Sequence, residues 1–172
     1  YLSAAMPETQ DSDFSWDKFV RRNNDELVAT YGNLAHRVLT FTQRHFAGVV
    51  PDPGALDAGS QQLLTDAEET MAAVRDALQR CSFKEGVRVA MGLAQKANRY
   101  LDEQAPWKAV KESREAAGRA VYCVLCVLSA LSTVFAPYLP FTSEVLHQSL
   151  GFKGTLLERG WRFVRPVPGQ AL

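Results

Sequence analysis

The stretch Ala97-Asn98-Arg99-Tyr100-Leu101-Asp102-Glu103-Gln104-Ala105-Pro106-Trp107 decides how this chain is read. Upstream, Phe83, Val87, Ala90, Ala94, Ala97 and Leu101 keep a three-four spacing, which predicts an amphipathic helix. Its small residues let a neighbouring helix come close, so close packing against the first helix of the chain is expected. Pro106 ends that helix or opens a short one after it, and the tryptophan stands just beyond the break.

Working outward, the pattern predicts five helices. Ser15 is a plausible N-cap with Asp17 in the first turn, and Leu27, Tyr31, Leu34, Val38 and Phe41 carry the apolar seam of a first helix over residues 16–46. Gly48 and Pro51-Asp52-Pro53-Gly54 form a loop. Thr65-Asp66-Ala67-Glu68 has capping-box form and opens a second helix over 65–80, and Ser82-Phe83-Lys84-Glu85 repeats the signal for the third. Ser113 caps a fourth helix over 114–136, and Pro140 starts a fifth ending near Leu150. No run alternates as a strand, so the fold class is all-α, an antiparallel bundle of about five helices with short connections. Residues 1–15 read as the end of a preceding unit, 16–151 as the bundle, and 152–172 as an extended segment docked on it through Trp161 and Phe163.

Composition limits the function. The chain has 172 residues, is 47% hydrophobic, and balances 19 Lys+Arg against 19 Asp+Glu. It can bury a core, and it lacks the overall basicity of a general nucleic-acid binder, so any RNA contact must be local. The cysteines Cys81, Cys123 and Cys126 are an odd set without a signal peptide, which favours reduced thiols and a cytoplasmic setting; the pair at 123 and 126 lies in an apolar run and reads as core. No charge occurs between positions 120 and 141. Ser129, Ser132, Thr133 and Pro137 nevertheless argue for a buried central helix over a membrane span, because only about 17 residues precede the proline break.

One constellation could carry chemistry. Asn33, Arg37, Thr40 and Arg44 run one position out of phase with the apolar seam and should form a polar stripe beside it. An asparagine amide and a guanidinium fork can satisfy the Watson–Crick edge of an unpaired cytosine. Trp107 adds a stacking ring, and sequence-specific RNA reading mostly targets bases splayed out of loops onto such rings. Taken singly these residues have plainer readings: a helix-end core tryptophan, and a solvated helix face or internal polar bridge for Asn33 with Arg37. Arg44, Lys96, Arg99 and Lys108, with Lys84 and Arg88, are either a solvated face or phosphate contacts. His36, His45 and His147 are dispersed without metal-site spacing and read as solvent-exposed or capping. There is no nucleophile motif and no Gly-rich phosphate loop.

Several blocks in order resemble methionyl-tRNA synthetase, specifically its C-terminal helical anticodon-binding domain. They are Tyr1-Leu2-Ser3-Ala4-Ala5-Met6-Pro7-Glu8, Asp13-Phe14-Ser15-Trp16, the run from Phe19 to Leu27, Gly32-Asn33-Leu34-Ala35-His36-Arg37, Ala97-Asn98-Arg99-Tyr100-Leu101, Ala105-Pro106-Trp107, the run from Ala136 to Glu144, and Pro166-Val167-Pro168-Gly169. The resemblance implies a domain that docks the anticodon loop of methionine tRNA and reads CAU. Trp107 would stack on the first base, Asn33 and Arg37 would hydrogen-bond to anticodon bases, and Pro106 would fix the ring's approach. It further implies a ligase whose ATP site, and zinc where a zinc knuckle is present, belong to a catalytic half outside these residues, so that this piece is inactive alone and binds tRNA weakly. The enzyme's own catalytic domain is then a partner, while DNA and membranes are not expected as partners. Two alternatives stay open: the anticodon domain of a class I synthetase for leucine, isoleucine, valine or cysteine, and a helical protein-interaction module.

Overall fold

A computed structural model describes residues 1–8 and 13–172; residues 9–12, within the segment assigned to the preceding unit, lie outside the described residues. Chain order gives α1 (Trp16–Arg21), a π-helical stretch (Arg22–Gly32), α2 (Asn33–Phe46), α3 (Ala58–Gln79), α4 (Phe83–Gln104), α5 (Pro106–Ala109), α6 (Arg114–Phe135), α7 (Pro140–Ser149) and α8 (Leu156–Arg159). The first three segments form one continuous rod, so among the described residues five long rods and two single-turn helices make an all-α fold. Among the described residues the only β pairing is an isolated bridge between Val49 and Ala171.

The first rod differs from the expected regular helix. Its middle is polar, Arg22-Asn23-Asn24-Asp25, and asparagine and aspartate are poor at holding an α-helical interior. The widened turns leave carbonyls within reach of side chains: the Asn23 amide donates to Phe19 O at 3.0 Å, and the Asn98 amide from α4 donates to Thr30 O at 3.0 Å. That second bond is the contact between first and third helices that the alanine spacing anticipates, although α4 packs more extensively on α3 and α6. Beyond the π stretch the predicted seam is buried: Tyr31, Leu34 and Val38 are inside, with Tyr31 stacked obliquely on Phe135 at 4.7 Å.

The second rod starts seven residues earlier than the capping-box signal placed it, at Ala58 instead of Thr65. Asp57 is the operative cap. Its carboxylate accepts the Ser60 N–H at 2.7 Å, which holds its pKa below the usual carboxylate range, with Arg119 reinforcing from 3.4 Å. Thr65 and Glu68 lie inside the helix, where Ala67 and neighbouring apolar positions already continue the buried seam. At the start of α4 Ser82 makes no side-chain cap; Glu8 accepts the Lys84 N–H at 2.9 Å instead.

α6 is the buried axis, with every residue from Ala120 to Phe135 inside. It is long and apolar enough to cross a membrane, but 94% of its apolar window is buried by the other helices. The hydroxyls that argued against a span have a specific task. Arg159 in α8 donates to Ser129 Oγ and O, Ser132 Oγ and Thr133 Oγ1 at 2.6–3.1 Å, and burial lowers its pKa to about 10. Trp161 Nε1 donates to Met71 O at 3.1 Å, and the backbone N–H groups of Val50 and Leu172 donate to Gln170 O and Gly48 O at 2.8 Å, which seats the C-terminal segment.

Candidate anticodon-binding groove

The groove is built by the end of α4. Proline disfavours the α conformation in the residue before it, and Ala105 adopts φ 40°, the left-handed region. Its N–H still reaches Leu101 O at 3.0 Å, closing α4 with a left-handed cap. Pro106 is buried at the first position of α5, where its missing N–H costs nothing and its fixed φ continues the chain. This turn pushes Trp107 outward, leaving it 39% exposed.

Arg37 meets the ring from α2. Its guanidinium carbon lies 5.1 Å from the indole centroid, a cation–π distance, and Nη2 donates to Asp102 Oδ1 at 2.8 Å. The fork is thus oriented twice, by an aromatic face and by a carboxylate of α4. Both partners of the ion pair remain substantially exposed, so the pair orients more than it stabilises.

Arg37, Thr40, Arg44, Pro106 and Trp107 line one open cavity of about 390 Å³, whose base is closed by Val38, Leu101 and Val121. Three of the four stripe residues therefore converge with the ring. Asn33 lies one turn before Arg37, exposed and outside the cavity wall; residues four apart on a helix face the same side. Its backbone N–H closes the π stretch onto Val28 and Thr30 carbonyls. Of the basic residues beyond the stripe, Arg99 and Lys108 are exposed, while Lys96 is tied to Asp66 of α3 at 3.0 Å.

Sequence reasoning missed Asp102, His36, Phe41 and His45 as parts of this site. His36 and His45 both line the cavity, and His45 is half-buried with its ring 4.3 Å from that of Phe41. The available signal was the four-residue spacing of 37, 41 and 45, which continues one face of α2. His147 also departs from its expected exposure: it is fully buried, stacked on Phe152 at 5.2 Å. Burial and the nearby Arg159 hold its pKa below the ordinary histidine value. Cys123 and Cys126 are buried as expected, and burial pushes the Cys126 thiol up to about 12.

An all-helical bundle that presents an oriented guanidinium and a half-exposed indole at one open groove defines a class, a helical recognition domain with a site suited to an unpaired base. The profile of the anticodon-binding domain of methionyl tRNA ligase matches residues 50–162, and that of class I tRNA synthetases (M) matches residues 1–39. The chain belongs to the methionyl-tRNA ligase anticodon-binding family. It is 51% identical to the methionine-tRNA ligase of Dehalococcoides mccartyi over 99% of the chain, and 47% identical to that of Thermomicrobium roseum over 91%. It spans 31% and 27% of those relatives' lengths. The free-state methionyl-tRNA synthetase of Mycobacterium tuberculosis superposes with a TM-score of 0.92 at 25% identity, over 99% of this chain and 35% of that one.

Proposed function

We propose that this chain is the anticodon-reading end of a methionine-tRNA ligase and that the groove between α2 and α5 takes the first base of the CAU anticodon. One observation carries this reading: Arg37 lies over the Trp107 ring at 5.1 Å while a carboxylate aims its fork, at the mouth of an open cavity. A cytosine unpaired from the loop stacks on the indole, and Arg37 donates to its carbonyl and ring nitrogen. Asn33, exposed one helical turn before Arg37 and on the same side of α2, hydrogen-bonds to an anticodon base. Arg44, Arg99 and Lys108 meet the phosphates; Lys96 joins them by exchanging Asp66 for a phosphate.

The ligase attaches methionine to its tRNA in the cytoplasm using ATP, through an adenylate. The adenylate-bound state of the M. tuberculosis enzyme, which superposes with a TM-score of 0.88, supports that assignment. No step of the adenylate chemistry falls to the side chains described here. Their contribution is to make kcat/KM depend on the anticodon.

The test is aminoacylation by the complete enzyme with the first anticodon base changed. Wild type should discriminate strongly against the changed tRNA, and Arg37→Ala should lose most of that discrimination by slowing only the cognate reaction. Equal discrimination in both enzymes would refute the reading. Cognate binding should also weaken as salt rises, since phosphate contacts release counterions; a salt-insensitive complex would favour a protein partner on this face instead.

A further inference from the structure

We infer that Glu8 is a positioning residue for aminoacylation: its carboxylate, set on the start of α4, holds the bundle and its groove in fixed register with the catalytic half. The inference rests on the reading of this chain as the anticodon-binding end of a ligase and adds how that end is held. Glu8 Oε1 accepts the Lys84 N–H at 2.9 Å from 76 positions away. It supplies what the local sequence does not, because Ser82, at the N-cap, makes no side-chain bond there. A carboxylate at this end satisfies a free N–H of a 22-residue helix and meets the positive end of its dipole. The bond also crosses between the two matched stretches: Glu8 lies within 1–39 and Lys84 within 50–162.

Neighbouring contacts make this junction specific. Tyr138, from the turn between α6 and α7, donates to Phe83 O at 3.2 Å. A Cβ on Gly86 would collide with the Tyr138 hydroxyl, so glycine is what lets that turn approach the start of α4. On the other side, Tyr1 packs edge-on against Phe14 and Phe19 at 5.6 and 5.4 Å. The segment holding Tyr1 and Glu8 is thereby tied to the first rod by a ring and to α4 by a carboxylate. From Lys84, α4 runs unbroken for about 27 Å to Asp102, which aims Arg37, and it packs on α3 and α6 along the way. One rigid helix thus has the connecting segment on its first turn and the anchor of the base-reading pair on its last. A tRNA seated in the groove must also deliver its 3′ end to the catalytic half, so a small error of angle at the cap becomes a misplacement of the reacting end. Adenylate formation needs no tRNA and escapes this constraint.

The experiment compares Glu8→Ala and Glu8→Gln in the complete enzyme. Glu8→Ala should lower kcat/KM for methionine tRNA by roughly tenfold, the most that a cap of ordinary strength supplies when all of it holds the productive arrangement. Glu8→Gln keeps an acceptor and loses only the charge facing the helix dipole, so its fall should be about threefold. ATP–pyrophosphate exchange and affinity for the isolated anticodon stem-loop should match wild type in both variants. The Lys84 N–H should be protected from hydrogen exchange in wild type and lose that protection in Glu8→Ala. Wild-type aminoacylation by Glu8→Ala, with first-base discrimination intact, would overturn the inference and leave the base reading standing. An equal fall in pyrophosphate exchange or in stem-loop affinity would overturn it too, by placing Glu8 in the fold of the catalytic half or in the groove itself. A Lys84 N–H that exchanges freely in wild type would do the same. Wild-type enzyme that binds stem-loops with any first base alike would overturn the base reading and the inference with it. Should Glu8→Ala fail to fold, Glu8→Gln decides: a selective fall in aminoacylation supports the inference, and unchanged aminoacylation overturns it.

Discussion

Trp107 and Arg37 have a geometry that serves binding at little cost to stability. The indole is only partly covered, so Trp107→Ala should leave the helical circular dichroism and melting temperature nearly unchanged while weakening cognate tRNA binding by about 1–3 kcal/mol, measured by equilibrium titration of the complete enzyme. Loss of the fold in that variant would show that the ring is chiefly a core element. Asp102 acts through Arg37 rather than on the base. With both members of the pair well exposed, Asp102→Asn should change stability by no more than about 0.5 kcal/mol. The released guanidinium loses its direction, so the ratio of cognate to changed-anticodon kcat/KM should fall; an unaltered ratio would remove Asp102 from the site. Phe41 was legible in the sequence only as an apolar seam residue, because its three-four spacing satisfies that role and says nothing of its second neighbour, His45.

Helix boundaries follow local chemistry where one signal dominates, and the competition is visible where two signals meet. Asp57 outcompetes the Thr65 box because it captures a free N–H at the true end of the apolar repeat, whereas Thr65 would interrupt a run that Leu63, Leu64 and Ala67 bury. Asp57→Ala should cost about 1 kcal/mol, within the 0.5–2 range typical of such caps, and Asp57→Asn should recover most of it. The carboxylate's pKa is depressed in the folded state, so its contribution is complete above the unfolded value of 3.8 and disappears as pH falls through the folded one. Chemical denaturation at pH 7 and near pH 3 should therefore show the Asp57→Asn effect varying with pH, and a pH-independent difference would contradict the capping assignment. The α4–α5 break is different in kind. Proline announces it in the sequence, yet the left-handed turn at Ala105, and hence the direction in which Trp107 emerges, depends on α2 and α6 packing against both sides.

At the scale of the bundle, the C-terminal segment is held by an arginine among hydroxyls and by a ring sandwich. Phe152 lies between His147, 5.2 Å away, and the Arg159 guanidinium, 5.0 Å away. Burial and Arg159 lower the His147 pKa, with Glu144 and the Gly154 backbone opposing them. At pH above 6.5 the imidazole is neutral in folded and unfolded chains, and it costs nothing. Below that value the unfolded chain takes up the proton first, so stability falls with pH. Thermal melts between pH 7.5 and 5 should show a steeper decline for wild type than for His147→Phe, which keeps the ring without the titration; parallel declines would show that His147 is not coupled to folding.

Periodicity, proline and capping residues were enough to define an all-α bundle and its central buried helix, because these depend on burying an apolar stripe and terminating it, both local properties of the chain. The joining of Arg37 to Trp107 across 70 residues, the aim that Asp102 imposes, the burial of His147 and the wide turns of the first rod depend on which helices become neighbours. Packing chooses those neighbours by the fit of whole surfaces, and one-dimensional spacing does not encode that fit.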